Sequence, residues 1–198
     1  MALSQEPRGA TRSFQIVAKR LFDIIIAATA LIVISPLFLL ASLAIKLGSR
    51  GPVFSGQIEY CYNNQKIKIF KFRCSTFGGL PTHTGRFLFQ SGLDRLPMLI
   101  NVLRGEMSIV GPCSYIAPSS LPPAEYLSDA LRRSTMRPGL FGWAQFHFSR
   151  DRDAQSDMRQ QIEHDLFYIV NWSLLLDVKI ILMSVFSKAS LYNQAACW

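Results

Sequence analysis

The sequence predicts an α+β protein fixed to a membrane by a helix near its N-terminus. Three observations carry that prediction. An uncharged stretch of 22 residues runs from Ile24 to Ile45. Two runs rich in β-formers flank the turn signal Asn63-Asn64. From Leu166 to Val185, apolar residues return every three or four positions. The expected architecture is a monotopic membrane protein. It has an N-terminal re-entrant helix broken at Ser35-Pro36, a small β-hairpin and interfacial amphipathic helices. The expected divisions are a flexible basic tail over 1–18, a membrane-embedded unit over 19–50 and a cytoplasmic domain over 51–198.

The apolar stretch is the strongest signal. A helix of 22 residues, at about 1.5 Å each, covers the roughly 30 Å hydrocarbon core. Thirteen of its residues are Leu, Ile, Val or Phe. Each favours insertion by about 0.3–0.6 kcal/mol near a helix centre, about 4–8 kcal/mol together. Pro36 removes a backbone donor, so the helix is expected to kink or break there. Arg8, Arg12, Lys19 and Arg20 precede the stretch, and Lys46 and Arg50 follow it. Basic residues keep to the cytoplasmic side. A helix bent at Pro36 satisfies both flanks, and an ordinary span with a tolerated proline remains open. A secretory signal is a third alternative, with Ser42-Leu43-Ala44 as its cleavage site.

The chain of 198 residues carries a net charge of +8. Beside a membrane, that charge points to anionic headgroups. No nucleic-acid motif is present, and nucleic acid is not an expected partner. Cys61, Cys74, Cys113 and Cys197 show no CxxC spacing, which argues against zinc and fits reduced, buried thiols.

The remaining elements follow in order. Val53–Tyr62 and Lys66–Phe72 form the hairpin. Residues 76–85 are a loop, followed by a short helical stretch. Leu93, Leu96, Ile100 and Leu103 define a further helix, with Pro97 in its first turn and Gly105 as its stop. Asp94 stands at that helix's entry, where backbone N–H groups favour a carboxylate; capping alone is the plainer reading. Arg137-Pro138-Gly139 is a turn. Residues 151–163 are helix-compatible. The Leu166–Val185 stripe suits either a core helix or one lying in the interface.

Several segments fall in one order. They are Lys19-Arg20-Leu21-Phe22-Asp23, Ser35-Pro36, Gly51-Pro52-Val53-Phe54 with Gln57, Lys71-Phe72-Arg73, Leu93-Asp94, Leu96-Pro97, the run from Asn101 to Pro112, Arg137-Pro138-Gly139 and Asn171-Trp172-Ser173. As an ordered set they resemble the bacterial sugar transferases of the monotopic phosphoglycosyl transferase family, over about residues 15–187. The nearest likeness is to enzymes that begin exopolysaccharide synthesis, often with galactose.

The resemblance implies transfer of a sugar-1-phosphate from a UDP-sugar to polyprenyl phosphate, with Mg²⁺, at the cytoplasmic face of the inner membrane. It implies Asp94 as nucleophile, Lys71, Arg73, Arg86 and Arg137 as substrate-binding cations, and Lys19, Arg20, Ser35 and Pro36 as the membrane anchor. Other polysaccharide-assembly proteins are implied partners. The chain departs from the family pattern at several positions, Gly92, Met98 and Cys74-Ser75 among them, and three departures bear on catalysis. Arg95 stands where the family has a metal-holding Glu, Phe89 where an Arg is usual, and Cys113 where an Arg follows Gly-Pro. No metal ligand is assigned. The alternative is a catalytically impaired homologue that binds within the assembly complex.

Overall fold

The computed structural model describes residues 9–60, 66–76, 79–113, 115–116, 135–147 and 154–186. A single helix, α1 (Gly9–Gly48), opens it. The hairpin β1 (Phe54–Tyr60) and β2 (Lys66–Phe72) follows, antiparallel, with Phe54 opposite Phe72 and Tyr60 opposite Lys66. Next come α2 (His83–Ser91), a 3₁₀ turn (Leu93–Arg95) and α3 (Met98–Arg104). Strands β3 (Ser108–Val110), β4 (Tyr115–Ile116) and β5 (Gly139–Phe141) complete two small sheets. In one, β4 adds antiparallel to β1. In the other, β3 and β5 run parallel. Helices α4 (Ala144–His147), α5 (Ala154–Val170) and α6 (Leu174–Phe186) close the described chain.

Helix α1 corrects two expectations. Gly9–Ala18, read as part of a flexible tail, is helical. The helix also runs through Pro36 without a break. In an α-helix the N–H that proline lacks would have bonded the carbonyl four residues earlier, that of Ile32. The Ser35 hydroxyl donates to that same carbonyl at 2.8 Å. The serine therefore satisfies the acceptor that its neighbour orphans, and the ladder continues.

One stripe of α1 meets the rest of the protein. Lys19, Asp23, Ala27, Leu31, Ile34, Phe38, Ala41, Ile45 and Ser49 are buried or half-buried, at steps of three or four. The stripe stays in phase past Pro36. The opposite face exposes Leu21, Ile25, Ile32, Leu39, Leu43 and Leu47. Only 11% of the most apolar window is buried, at a mean hydropathy of 2.7. A core helix of that composition would be mostly covered. This helix is long and apolar enough to cross a membrane, and its uncovered face asks for an apolar solvent.

The Lys19-Arg20-Leu21-Phe22-Asp23 segment is a docking device. Lys19 Nζ donates to Asp177 Oδ2 at 2.8 Å and to the Val110 carbonyl at 3.0 Å. Asp23 accepts from Ser108 Oγ at 2.7 Å and from the Ile109 amide at 3.1 Å. Arg20 donates to the Val102 and Leu103 carbonyls at 2.7 and 2.9 Å. Those carbonyls belong to the last turn of α3, where a cation is favoured. Lys19 and Arg20, read as part of the membrane anchor, fasten α1 to the body.

Two apolar clusters lie on either side of β2. Ile69 joins Ala27, Met98, Leu99, Val102, Ile109, Tyr168 and Ile180. Phe72, three residues on and so on the other face of the strand, joins Ala41, Ile45 and Leu88, with Phe38, Leu93 and Leu96 against them. Asn101 covers the free edge of β2. Its Nδ2 donates to the Lys68 carbonyl at 2.8 Å, and its Oδ1 accepts from the Phe70 amide at 3.1 Å.

Other differences from expectation have plain causes. The apolar stripe after Leu166 is two helices, because the chain turns at Asn171-Trp172-Ser173. Arg137-Pro138-Gly139 leads into a strand, and β5 lies so close to β3 that a Cβ on Gly139 would come within 2.0 Å of the Gly111 nitrogen. Cys113 is disulfide-bonded, against the reading of four free thiols.

Buried Asp177 accepts from Lys19, from Tyr168 Oη at 2.7 Å and from Trp172 Nε1 at 3.1 Å. Asp177→Ala removes an acceptor from all three donors, leaves Lys19 and Tyr168 only the Val110 carbonyl, and leaves a mostly buried ammonium without its counter-ion. The expected cost is about 3–5 kcal/mol. Thermal unfolding of the detergent-solubilised protein measures it, and an unchanged midpoint would show that the ion pair does not hold α1.

Candidate active site

The candidate site forms where the 3₁₀ turn crosses β2. A 3₁₀ turn repeats every three residues, so Leu93 and Leu96 share one side. Both pack on the Phe72 cluster. The turn thereby carries Asp94 and Arg95 into the interior, where both are buried. Asp94 was expected at the N-terminus of a helix, in a field favouring its charge. It lies in the turn instead, and α3 begins after Pro97.

Burial sets the electrostatics. Desolvation pushes the Asp94 carboxyl up from its ordinary value; Arg95 and then Lys71 pull it part of the way back. Among the described residues, Asp94 Oδ1 is buried and has no hydrogen-bond partner. Cys74 adjoins the same group. Its thiol is pushed up to about 11, first by burial and then by the Asp94 charge, so it stays protonated near neutrality. Lys71 comes from the end of β2 and donates to Gln57 Oε1 at 3.1 Å across the hairpin.

Local folding explains why these residues meet. Thr82 caps α2 by accepting from the Gly85 amide at 2.9 Å, and its own amide bonds the Cys74 carbonyl at 3.0 Å. A Cβ on Gly85 would fall 1.9 Å from the Cys74 carbonyl oxygen. Glycine therefore lets α2 press against the segment just after β2, where Cys74 follows Lys71 by three residues.

The structure brings some of the expected cations to Asp94 and sends others elsewhere. Lys71 is a neighbour, and Arg95 joins it. Arg73 is buried away from solvent and binds the two residues that follow α1. It donates to the Ser49 carbonyl at 3.1 Å, Ser49 Oγ at 2.6 Å and the Arg50 carbonyl at 3.0 Å. Arg86 is exposed on α2. Arg137 is half-buried before β5, and its charge bears on Arg20. Phe89 is exposed on α2. The Cys113 amide donates to Asp165 Oδ2 at 3.2 Å.

Mg²⁺ was expected here, and the donors among the described residues do not by themselves make a site for it. Magnesium takes six hard oxygen ligands in near-octahedral array. Asp94 offers one carboxylate, on which the charges of Arg95 and Lys71 bear, near the protonated Cys74 thiol. Among the described residues, no three His, Cys, Asp or Glu side chains gather anywhere. A buried carboxylate with adjacent fixed cations is instead a place where a nucleophile can meet an anionic ligand.

The fold and site thus define a class: a protein with one helix long and apolar enough to cross a membrane and an interior carboxylate on which two cationic side chains bear. Residues 14–190 match the family model described as bacterial sugar transferase. The chain belongs to that family. It is 37% identical, over 86% of its length, to the UDP-glucose:undecaprenyl-phosphate glucose-1-phosphate transferase of Klebsiella pneumoniae. It is also 37% identical, over 87% of its length, to the exopolysaccharide production protein PSS of Rhizobium leguminosarum bv. phaseoli. A third relative is the UDP-N-acetylgalactosamine-undecaprenyl-phosphate N-acetylgalactosaminephosphotransferase of Aeromonas hydrophila, at 35% over 84%. The match spans 40% of the Klebsiella protein, 42% of the Aeromonas protein and 96% of the Rhizobium protein.

The acid–base position of Asp94 is open to measurement. Its raised value means that the folded protein holds this proton longer than the unfolded chain does. Its contribution to stability is therefore full at low pH and is lost as pH rises through the folded value. Lys71→Met removes a cation that favours the ionised form, so the titration should move further up. The carboxyl infrared band followed against pH, with Asp94→Asn as blank, reads the shift. A downward move would refute the assignment of Lys71 as a partner of Asp94.

Proposed function

We propose that the chain transfers a sugar-1-phosphate from a UDP-sugar to a polyprenyl phosphate, with Asp94 as the nucleophile. The observation that carries this reading is the Asp94 carboxylate. It is buried, has one oxygen without a hydrogen-bond partner among the described residues, and feels the charges of Arg95 and Lys71, at the position that the resemblance gives to the nucleophile.

In the first step an Asp94 oxygen attacks the phosphorus that carries the sugar. The bond from that phosphorus to the bridging oxygen breaks, and UMP leaves with the electron pair. In the second step a polyprenyl phosphate oxygen attacks the same phosphorus and expels the Asp94 carboxylate. A covalent intermediate divides one difficult displacement into two easier ones. Arg95 and Lys71 offset the charge that the diphosphate brings.

The surroundings suit a lipid acceptor. Phe87 and Phe89 on α2, and Leu43 and Leu47 on the C-terminal half of α1, are all exposed. Helix α2 packs on both α1 and the turn that bears Asp94. An apolar rim beside the carboxylate lets a polyprenyl phosphate present its headgroup without leaving the bilayer.

The membrane unit is read as re-entrant at the cytoplasmic face of the inner membrane. What supports this is that one body holds both flanks, through Lys19 and Arg20 before the apolar stretch and through Arg73 after it. Single cysteines at Arg12 and Ser55, in a background without reactive native thiols, test it. Both should escape an impermeant thiol reagent in intact cells and react after permeabilisation. Reaction at only one site in intact cells would sink the re-entrant topology.

The relatives' names specify glucose and N-acetylgalactosamine, whereas the sequence resemblance suggests galactose. All three UDP-sugars therefore belong in the assay. The purified protein with undecaprenyl phosphate should release UMP from at least one, through a trappable phosphosugar adduct. Asp94→Asn should abolish both. UMP release that survives Asp94→Asn would overturn the assignment.

A further inference from the structure

We infer that Asn101 is a positioning residue of the site: its side-chain amide ties the segment that carries Asp94 to the strand that carries Lys71, and so sets how the two groups meet. Its bearing on turnover rests on the proposed phosphoryl transfer, whereas its effect on the Asp94 carboxyl does not.

Asp94 and Asn101 lie on one continuous segment. The Arg95 amide donates to the Gly92 carbonyl at 3.4 Å, Leu96 to Leu93 at 3.2 Å, Leu99 to Leu96 at 3.2 Å and Ile100 to Pro97 at 3.0 Å. These bonds run from the 3₁₀ turn into α3 without a gap. Asn101 follows Asp94 by seven residues, about two helical turns. A segment bonded in this way moves as a unit, so fixing Asn101 fixes the backbone of Asp94. The turn and α3 both pack on β2.

The Asn101 amide completes the outer edge of β2. Among the described strands, β2 pairs with β1 alone. Along a strand, the carbonyl of one residue and the amide of the residue two further on point to the same edge. Asn101 bridges such a pair. Its Nδ2 donates to the Lys68 carbonyl at 2.8 Å, and its Oδ1 accepts from the Phe70 amide at 3.1 Å. The second Nδ2 hydrogen goes to Glu106 Oε2 at 2.5 Å. An ionised carboxylate only accepts, so Glu106 fixes which end of the amide is nitrogen. Asn101 is 0% exposed, and water does not compete for these bonds.

The strand held in this way delivers the cation. Lys71 follows Phe70 directly and donates to Gln57 Oε1 at 3.1 Å across the hairpin. Its charge favours the ionised forms of both Asp94 and Cys74. Without the bonds at Lys68 and Phe70, the end of β2 loses one of its two edges, and Lys71 is free to drift from Asp94.

The experiment follows the Asp94 carboxyl infrared band against pH, in the full chain in lipid nanodiscs with Asp94→Asn as blank. Arg95, Lys71 and Cys74 are the titratable neighbours of that carboxyl among the described residues. Asn101→Ala should move the titration up, by no more than Lys71→Met moves it. In a Lys71→Met background the same substitution should move nothing, because the two act through one interaction. An equal shift in both backgrounds, a downward shift, or no shift in the otherwise wild-type chain would overturn the inference. Glu106→Ala should also move the titration up. Glu106→Gln keeps an acceptor and drops the charge, so it should restore the wild-type value. Equal shifts in Glu106→Ala and Glu106→Gln would refute the orienting bond.

UMP release should fall by about 10² in Asn101→Ala, the scale of a misplacement of about 1 Å. The double variant with Lys71→Met should be no slower than Lys71→Met alone. If wild type releases no UMP, the proposed function fails, and the infrared titration still decides the role of Asn101. If Asn101→Ala does not fold, Glu106→Ala, at a half-buried position, carries the same test.

Discussion

The ion pair between Lys19 and Asp177 is the joint on which the rest of the arrangement depends. It ties a helix with a largely uncovered apolar face to a body built around β2. Lys19 and Asp23 are one helical turn apart and so share a face. One grips α6 and the end of β3; the other grips the start of β3. Arg20, between them, closes the last turn of α3. Three consecutive contacts thus fix the rotation of α1. Once that rotation is set, the periodicity of the helix dictates which residues face inward for the next thirty positions. Ala41, Ile45 and Ser49 then arrive opposite Phe72, Leu88 and Arg73.

That second meeting is what buries the candidate nucleophile. The Phe72 cluster draws in Leu93 and Leu96, and the 3₁₀ turn between them has no freedom to expose Asp94 or Arg95. A carboxylate would ordinarily avoid such a place. Its ionisation is opposed by desolvation and restored in part by two neighbouring cations. The result is a carboxylate poorly solvated and incompletely hydrogen-bonded, the condition in which an oxygen nucleophile is least held back by its surroundings.

Much of the fold was legible because it is local. The hairpin follows from alternation, and its observed register needs only the Asn63-Asn64 signal and strands of equal length. The apolar character of α1 is plain from composition. What escaped was tertiary. Strands β3 and β5 are three residues each and lie far apart in the chain, so no periodic pattern announces a parallel pair. The turn at Asn171-Trp172-Ser173 divides an apolar stripe that stays in phase across it. Asp94 was found through motif order, yet its environment was misjudged, because a capping aspartate and a buried one look alike in sequence. The same limit applied to the cations. Arg20 was read as an anchor residue and Arg73 as a substrate-binding cation, but Arg20 closes the last turn of α3 and Arg73 binds Ser49 and Arg50 just past α1. Only the contacts distinguish the two uses.

Ser35-Pro36 shows how a reliable local rule is overridden by a neighbour. Proline in a helix interior should cost a hydrogen bond and break the ladder. In hydrocarbon the orphaned carbonyl is worse off than in water, since no solvent can reach it. The serine hydroxyl removes that penalty at the carbonyl concerned. The helix therefore keeps its register through the proline, while the ring still deprives that turn of one backbone bond that would resist bending. Register and direction become separable. Register is what keeps Ala27 and Ala41 on one stripe. Direction is set outside the helix, by Lys19, Arg20 and Asp23 at one end and by Arg73 on Ser49 and Arg50 at the other. It is these pins, rather than the proline, that hold both flanks of the apolar stretch to the same body.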